Sequence, residues 1–180
     1  MKILKKIGIV LIALIAIILI AAIFVSKEVV YEKSISIDAP IETVWENVNS
    51  LTDLDKWSPW NDYDPNMKKD FTGTDGAIGA KASWDSDVKE VGKGSQTIAK
   101  IEAPNLFETD LKFYEPYESE AKGYIKVLKE NNTTKVTWGF QSEMPYPMNL
   151  MNLFTNMEEM MGKDWDKGLS TLKNICENKG

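Results

Sequence analysis

The chain has no histidine, no arginine and a single cysteine among its 180 residues. Without His, a Ser-His-Asp or Cys-His nucleophile system and His-ligated zinc are excluded. Without Arg, bidentate guanidinium clamps on phosphate are excluded as well. The lone Cys176 can form neither an internal disulfide nor a cysteine metal cluster. With no His to activate it, it reads as an inert thiol near the end of the last helix. Basic charge is also scarce where it would matter. The formal net charge is −6, and Lys2, Lys5 and Lys6 all precede the body of the protein. The remainder carries 18 of the 21 lysines against 27 acidic residues, a balance of −9. Nucleic-acid binding needs a basic face, so no nucleic-acid partner is expected.

What is present begins with one apolar run. The 19 residues from Ile7 to Val25 comprise 14 Ile, Leu, Val or Phe, four Ala and one Gly. As a helix they span about 28 Å, close to the hydrocarbon thickness of a bilayer. Fourteen such side chains at about −0.3 to −0.6 kcal/mol each favour insertion by roughly −4 to −8 kcal/mol. A cleaved secretory signal is the competing reading, but its apolar region is usually shorter, about 7–15 residues, and Ile23, Phe24 and Val25 are poor cleavage residues. A buried core helix is the third. Residues 1–26 are therefore expected to be a transmembrane anchor and 27–180 a single globular domain. The lysines before the run place the N-terminus in the cytoplasm and the domain on the extracytoplasmic side of the cell membrane.

The rest of the chain divides by period. Val29–Ile37 is a strand with Tyr31, Ile35 and Ile37 on one face. Ile41, Val44, Trp45 and Val48 recur at helical spacing, predicting a short helix over Pro40–Asn49, and Leu51–Trp57 a second. From about Met67 to Met144 alternation takes over. Ala80, Ala82 and Trp84; Phe107, Thr109, Leu111 and Phe113; Ala121, Gly123, Ile125 and Val127; and Val136, Trp138 and Phe140 each share one side. Short turns between them imply an antiparallel meander with one packed face. A long helix is expected from about Met148 to Asn174, on the stripe Leu150, Phe154, Met157, Met161, Trp165, Gly168 and Leu172. Gly168 lowers helix stability by about 1 kcal/mol against Ala, which points to close approach of the sheet there.

This order of elements predicts an α+β helix-grip fold: a curved antiparallel sheet wrapped around a long C-terminal helix, with two short helices after the first strand. Ser34–Trp60 (SISIDAPIETVWENVNSLTDLDKWSPW), Thr134–Phe140 (TKVTWGF) and Met144–Met151 (MPYPMNLM) carry a resemblance to a known family. Over about Val29–Ile175 the chain resembles the SRPBCC superfamily (START-like, Bet v 1-like), in its polyketide cyclase/dehydrase-like branch. The resemblance implies an apolar cavity between sheet and long helix. It does not fix one activity, since members include ligand binders, lipid carriers and cyclases.

Candidate sites follow. Six of the eight methionines fall between Met144 and Met161, and Met suits surfaces that accept varied apolar partners. Trp84, Phe113, Trp138, Phe140, Phe154, Met157 and Met161 are the expected ligand-binding set for a small hydrophobic or lipid-like molecule. The same stripe also fits an ordinary filled core. Trp57 and Trp60 either form a lid at the cavity mouth or plug the end of the core. Asp62, Asp64 and Asn66 have the spacing that opens a calcium loop, but Met67 and Gly73 stand where Gly and a bidentate Glu are needed, so no metal is expected. No cofactor is implied. Glu108, Asp110, Glu118 and Glu120 fall on the outer face by alternation, and no catalytic constellation emerges. Three functions stay open: a membrane-anchored hydrophobic binder, a cyclase or dehydrase moving protons through Tyr or a buried carboxylate, and a partner-binding module with a filled core.

Overall fold

Twenty-two residues open the computed structural model as one helix, α1 (Lys2–Ile23); residues 2–178 are described. Over Ile3–Ile23 the helix is long and apolar enough to cross a membrane, a test that signal sequences also pass. The chain divides into two compact units. One joins α1 and the residues through Val29 with the later segment Glu143–Asn156. The other holds Val30–Ser142 and the C-terminal helix.

The larger unit is built on β1 (Glu28–Ile37), α2 (Ile41–Trp45), α3 (Leu51–Lys56), β2 (Lys68–Thr72), β3 (Lys81–Asp85), β4 (Lys93–Glu102), β5 (Leu106–Glu115), β6 (Ser119–Glu130), β7 (Thr133–Glu143) and α4 (Met157–Glu177). The seven strands form one sheet in the order β1-β7-β6-β5-β4-β3-β2. From β2 to β7 each strand pairs antiparallel with the next, as the alternation of apolar residues predicts. The first strand lies beside the last. The open sheet and the long C-terminal helix are the helix-grip α+β arrangement expected from the sequence.

The inward side chains of β6 and β7 explain why the helix lies where it does. Ile125, Val127 and Val136 are buried with Ile37 of β1, Val44 and Val48, and close against Leu169, Leu172 and Cys176 of α4. A Cβ added at Gly168 would lie 2.8 Å from the Trp138 ring and 3.3 Å from Pro59. That is the close approach to the sheet expected at this glycine. A second, smaller cluster holds Leu51, Ala80, Ile98 and Phe107.

Two local devices set the start of α3. Ser50 caps α3 by accepting the Asp53 N–H at 3.1 Å. Asp75, from the turn before β3, accepts the Leu51 N–H at 2.9 Å at the same helix start. Burial alone would raise the Asp75 pKa, but donation from Thr52 and from the backbone of Leu51, Thr52 and Gly76 holds it below its ordinary value.

The expected single helix over Met148–Asn174 is corrected. Met148–Leu153 is a separate 3₁₀ helix, and α4 begins only at Met157. Within the smaller unit, Asn149 donates through Nδ2 to the carbonyls of Ala22 (2.7 Å) and Val25 (2.8 Å), and Asn152 to that of Ser26 (3.0 Å). These bonds tie the 3₁₀ helix to the end of α1. The stripe predicted for one helix therefore belongs to α4 only from Met157 onward.

Candidate hydrophobic-ligand site

A hollow of about 180 Å³ lies in the larger unit, between the start of α4, the sheet and α3. It is open on one side. Trp84, Phe113, Trp138, Phe140 and Met161 line it, as do Trp57 and Trp60, with Phe107, Leu111 and Trp165 among the further walls. Phe154 and Met157 do not. Phe154 is 87% exposed, at the end of the 3₁₀ helix and in the smaller unit, so its place in the predicted stripe is corrected. Met157 is only the first residue of α4, one turn short of the wall.

The wall is an aromatic lattice. Trp138 stacks on Trp165 at 4.3 Å between ring centroids, with the planes 17° apart. Trp57 and Trp60 meet the same Trp138 edge-on, at 5.0 and 5.7 Å. Tyr31 meets Trp165 edge-on at 5.1 Å, and Trp84 meets Phe113 in the same manner at 6.0 Å. Edge-to-face and offset-stacked contacts are the arrangements that aromatic pairs prefer, so the wall is held by its own rings. Trp57 is only 3% exposed and its N–H is donated to the Asn47 carbonyl at 3.0 Å. It is an interior wall rather than a residue of the mouth. Trp60, half-buried, stands nearer the surface.

Polar groups on the wall are few and mostly satisfied. Gln96 donates to Thr109 Oγ1 at 2.9 Å, and Thr109 donates on to the Gly123 carbonyl at 3.2 Å. Lys69 pairs with Asp55 at 2.7 Å and donates to Asn61 Oδ1 at 2.7 Å, so one charged pair stands on the lining. Tyr124 donates its hydroxyl to Glu32 at 2.6 Å. Donation from Lys126 and then from Tyr124 holds the Glu32 carboxyl below its ordinary range. The exception is Trp165. It is 2% exposed, and among the described residues its indole N–H has no acceptor. That signal is invisible in a sequence, where Trp165 is one more member of an apolar stripe.

Beside the hollow, β1 clasps α4. Lys33 pairs with Glu158 at 2.9 Å and Asp166 at 2.6 Å, and Tyr31 donates to Glu158. Burial and then that bond push the Tyr31 pKa up to about 12. The Lys33 ammonium is raised by Asp166 and then Glu158, and the Glu158 carboxyl is lowered by Tyr31 and then Lys33. The three residues of the calcium-like spacing are not gathered on a common centre: Asp62 pairs with Lys167, while Asp64 accepts from Ser86 at 2.5 Å and from the Asn66 backbone at 3.0 Å.

The comparisons with known proteins agree on this architecture. A protein of Nitrosospira multiformis is 21% identical with a TM-score of 0.58, covering 81% of this chain and 94% of its own. A protein of Thermobifida fusca gives 13% identity and 0.61, with 83% and 93% covered. Truncated norcoclaurine synthase from Thalictrum flavum gives 9% and 0.60, with 84% and 94% covered. At such identities the likeness is one of fold. No protein of curated function matches the chain. The sequence profile of the family described as polyketide cyclase / dehydrase and lipid transport matches residues 28–177. With the match running from the first strand to the last turn of α4, the chain belongs to that family.

Proposed function

We propose that the protein is a membrane-anchored binder of a small hydrophobic or lipid-like molecule, with its N-terminus in the cytoplasm and its larger unit on the extracytoplasmic side. The aromatic-walled hollow carries the reading. Its 180 Å³ compares with the roughly 150 Å³ dry cavity that admits benzene and falls below the roughly 300–1,000 Å³ of drug-sized sites. A bound molecule would insert one ring or a short branched chain and leave its remainder at the mouth. Burial at about 25 cal/mol per Å² of apolar surface supplies the affinity.

Of the wall's ionisable groups, Asp55 and Lys69 neutralise one another, and Tyr124 already donates to Glu32. That arrangement supports binding over proton transfer. The lipid-transport half of the family description supports it too.

The test is native mass spectrometry of the full chain released from membranes of its host in mild detergent. A hydrophobic molecule should leave with the wild-type protein and be lost in Ala82→Phe, which fills the hollow from β3. Repeated absence from wild type, with no thermal shift across a panel of aromatic and acyl probes, would overturn the reading.

A further inference from the structure

Between Met144 and Asn156 the chain runs through 13 residues without a charge, in a protein where 27% of residues are charged. The stretch sits between Glu143 and, beyond Met157, the pair Glu158 and Glu159. Its 3₁₀ helix leaves Met148, Met151 and Leu153 (63% exposed) open, with Phe154 just past its end more open still, while Leu150 is half-buried. Soluble surfaces rarely concentrate apolar side chains so closely without a partner. Three polar side chains of the same segment reach the other way. Asn149, fully buried, donates to the carbonyls of Ala22 and Val25 and Asn152 to that of Ser26, at and just past the end of α1, and Tyr146 donates to the Leu19 carbonyl at 3.2 Å. Carbonyls at a helix terminus lack intrahelical partners, and inside lipid each such group costs several kcal/mol if left unpaired.

We infer that Glu143–Asn156 is a membrane-interface element, which caps the end of α1 with its amides and seats Met148, Met151, Leu153 and Phe154 at the headgroup–acyl boundary of a bilayer. The inference rests on the reading of α1 as a membrane span. The bilayer is favoured as the occupant because the segment is hydrogen-bonded to the very end of the apolar helix, so that its exposed side chains continue that helix's apolar surface. Amphipathic elements that lie in the interface behave in this way, with one face polar and one buried among acyl chains.

Site-directed spin labelling tests this on the full chain in vesicles of phosphatidylcholine and phosphatidylglycerol. A nitroxide is attached at Phe154→Cys, at Leu153→Cys, at Ile12→Cys within α1 and at Tyr117→Cys, an exposed residue of the larger unit. The wild-type chain, whose Cys176 is buried, gives the background. Accessibility to oxygen against a water-soluble nickel chelate reads depth. The expected result is severalfold oxygen preference at 153, 154 and 12, and chelate preference at 117. Chelate preference at 153 and 154 with oxygen preference at 12 overturns the interface element and leaves the anchor standing. Exclusion of both relaxants at 153 and 154 means a second copy or another protein covers the segment, which also overturns it. Chelate preference at 12 overturns anchor and interface element together.

Discussion

The two halves of the sheet meet the rest of the larger unit in opposite ways. On the side of β1, β7 and β6, aliphatic residues of moderate size close against the C-terminal part of α4, and Ile37, Val127, Val136 and Leu172 are shut off from solvent. On the side of β2 to β5, the facing residues are Trp84, Phe113, Leu111 and Phe71, and together with Trp138 and Phe140 of β7 they line the hollow. At that end β2 and β3 are only five residues each, and β2 is exposed along its whole length. The difference teaches what fills a space between helix and sheet. Branched aliphatic side chains interlock at the density of an organic crystal, whereas the aromatic walls enclose a hollow of about 180 Å³.

The largest test of that contrast is a matched pair. Leu172→Ala in the packed half should lower unfolding free energy by about 2–5 kcal/mol, because a sealed cavity is left. Leu111→Ala on the wall of the hollow should lower it by only about 1–2 kcal/mol, since less apolar surface leaves an already open site. Equal losses in urea titrations would break the comparison. Gly168→Ala probes the seam between the halves. Helix propensity gains about 1 kcal/mol, but a methyl at 2.8 Å from the Trp138 ring forces overpacking of about 1–3 kcal/mol. A net loss of about 1 kcal/mol is expected, with a change in near-ultraviolet circular dichroism as the Trp138–Trp165 stack shifts.

The third prediction sharpens the chemistry of the hollow. Ala82→Phe fills the hollow from β3. It should weaken an aromatic hydrocarbon probe by about tenfold or more in calorimetry, because the apolar surface that the probe buries, at about 25 cal/mol per Å², is lost. The smallest effect concerns the β1–α4 clasp. Tyr31 has a raised pKa, so its contribution is intact below the ordinary tyrosine value near 10 and is lost as pH rises through about 12. Raised Lys33 acts in the same direction. Glu158 is lowered, so its part is present above the ordinary glutamate value and is lost only as pH falls through its depressed one. Tyrosinate absorbance should show a late phase in wild type that disappears in Tyr31→Phe. The loss of stability should be slight, because Glu158 and Asp166 stand largely in water.

Much of this was written in local pattern. Alternation over Ala121–Val127 and Val136–Phe140 is enough to define two central strands and their inward faces. The helical spacing of Met161, Trp165, Gly168 and Leu172 is enough to define the gripped face of α4. What the pattern could not give depends on partners far along the chain. Phe154 stands three residues before Met157, a spacing that fits one stripe. It is excluded because Asn149 bonds to Ala22 and Val25, more than 120 residues earlier. The aromatic walls were foreseeable as residues but not as a space, since a sequence records which rings are present and not the angles at which they meet.

The position of β1 has a consequence for how the protein is made. Its neighbour is β7, while β2, the next strand along the chain, lies at the far edge of the sheet. The first strand to leave the ribosome is thus the last that can be joined. At about 5–20 residues per second, about 95 residues separate the two, so β1 waits roughly 5–20 s with an unmatched edge. During that interval a chaperone, or the crowding of neighbouring nascent chains, has its chief opportunity to intervene.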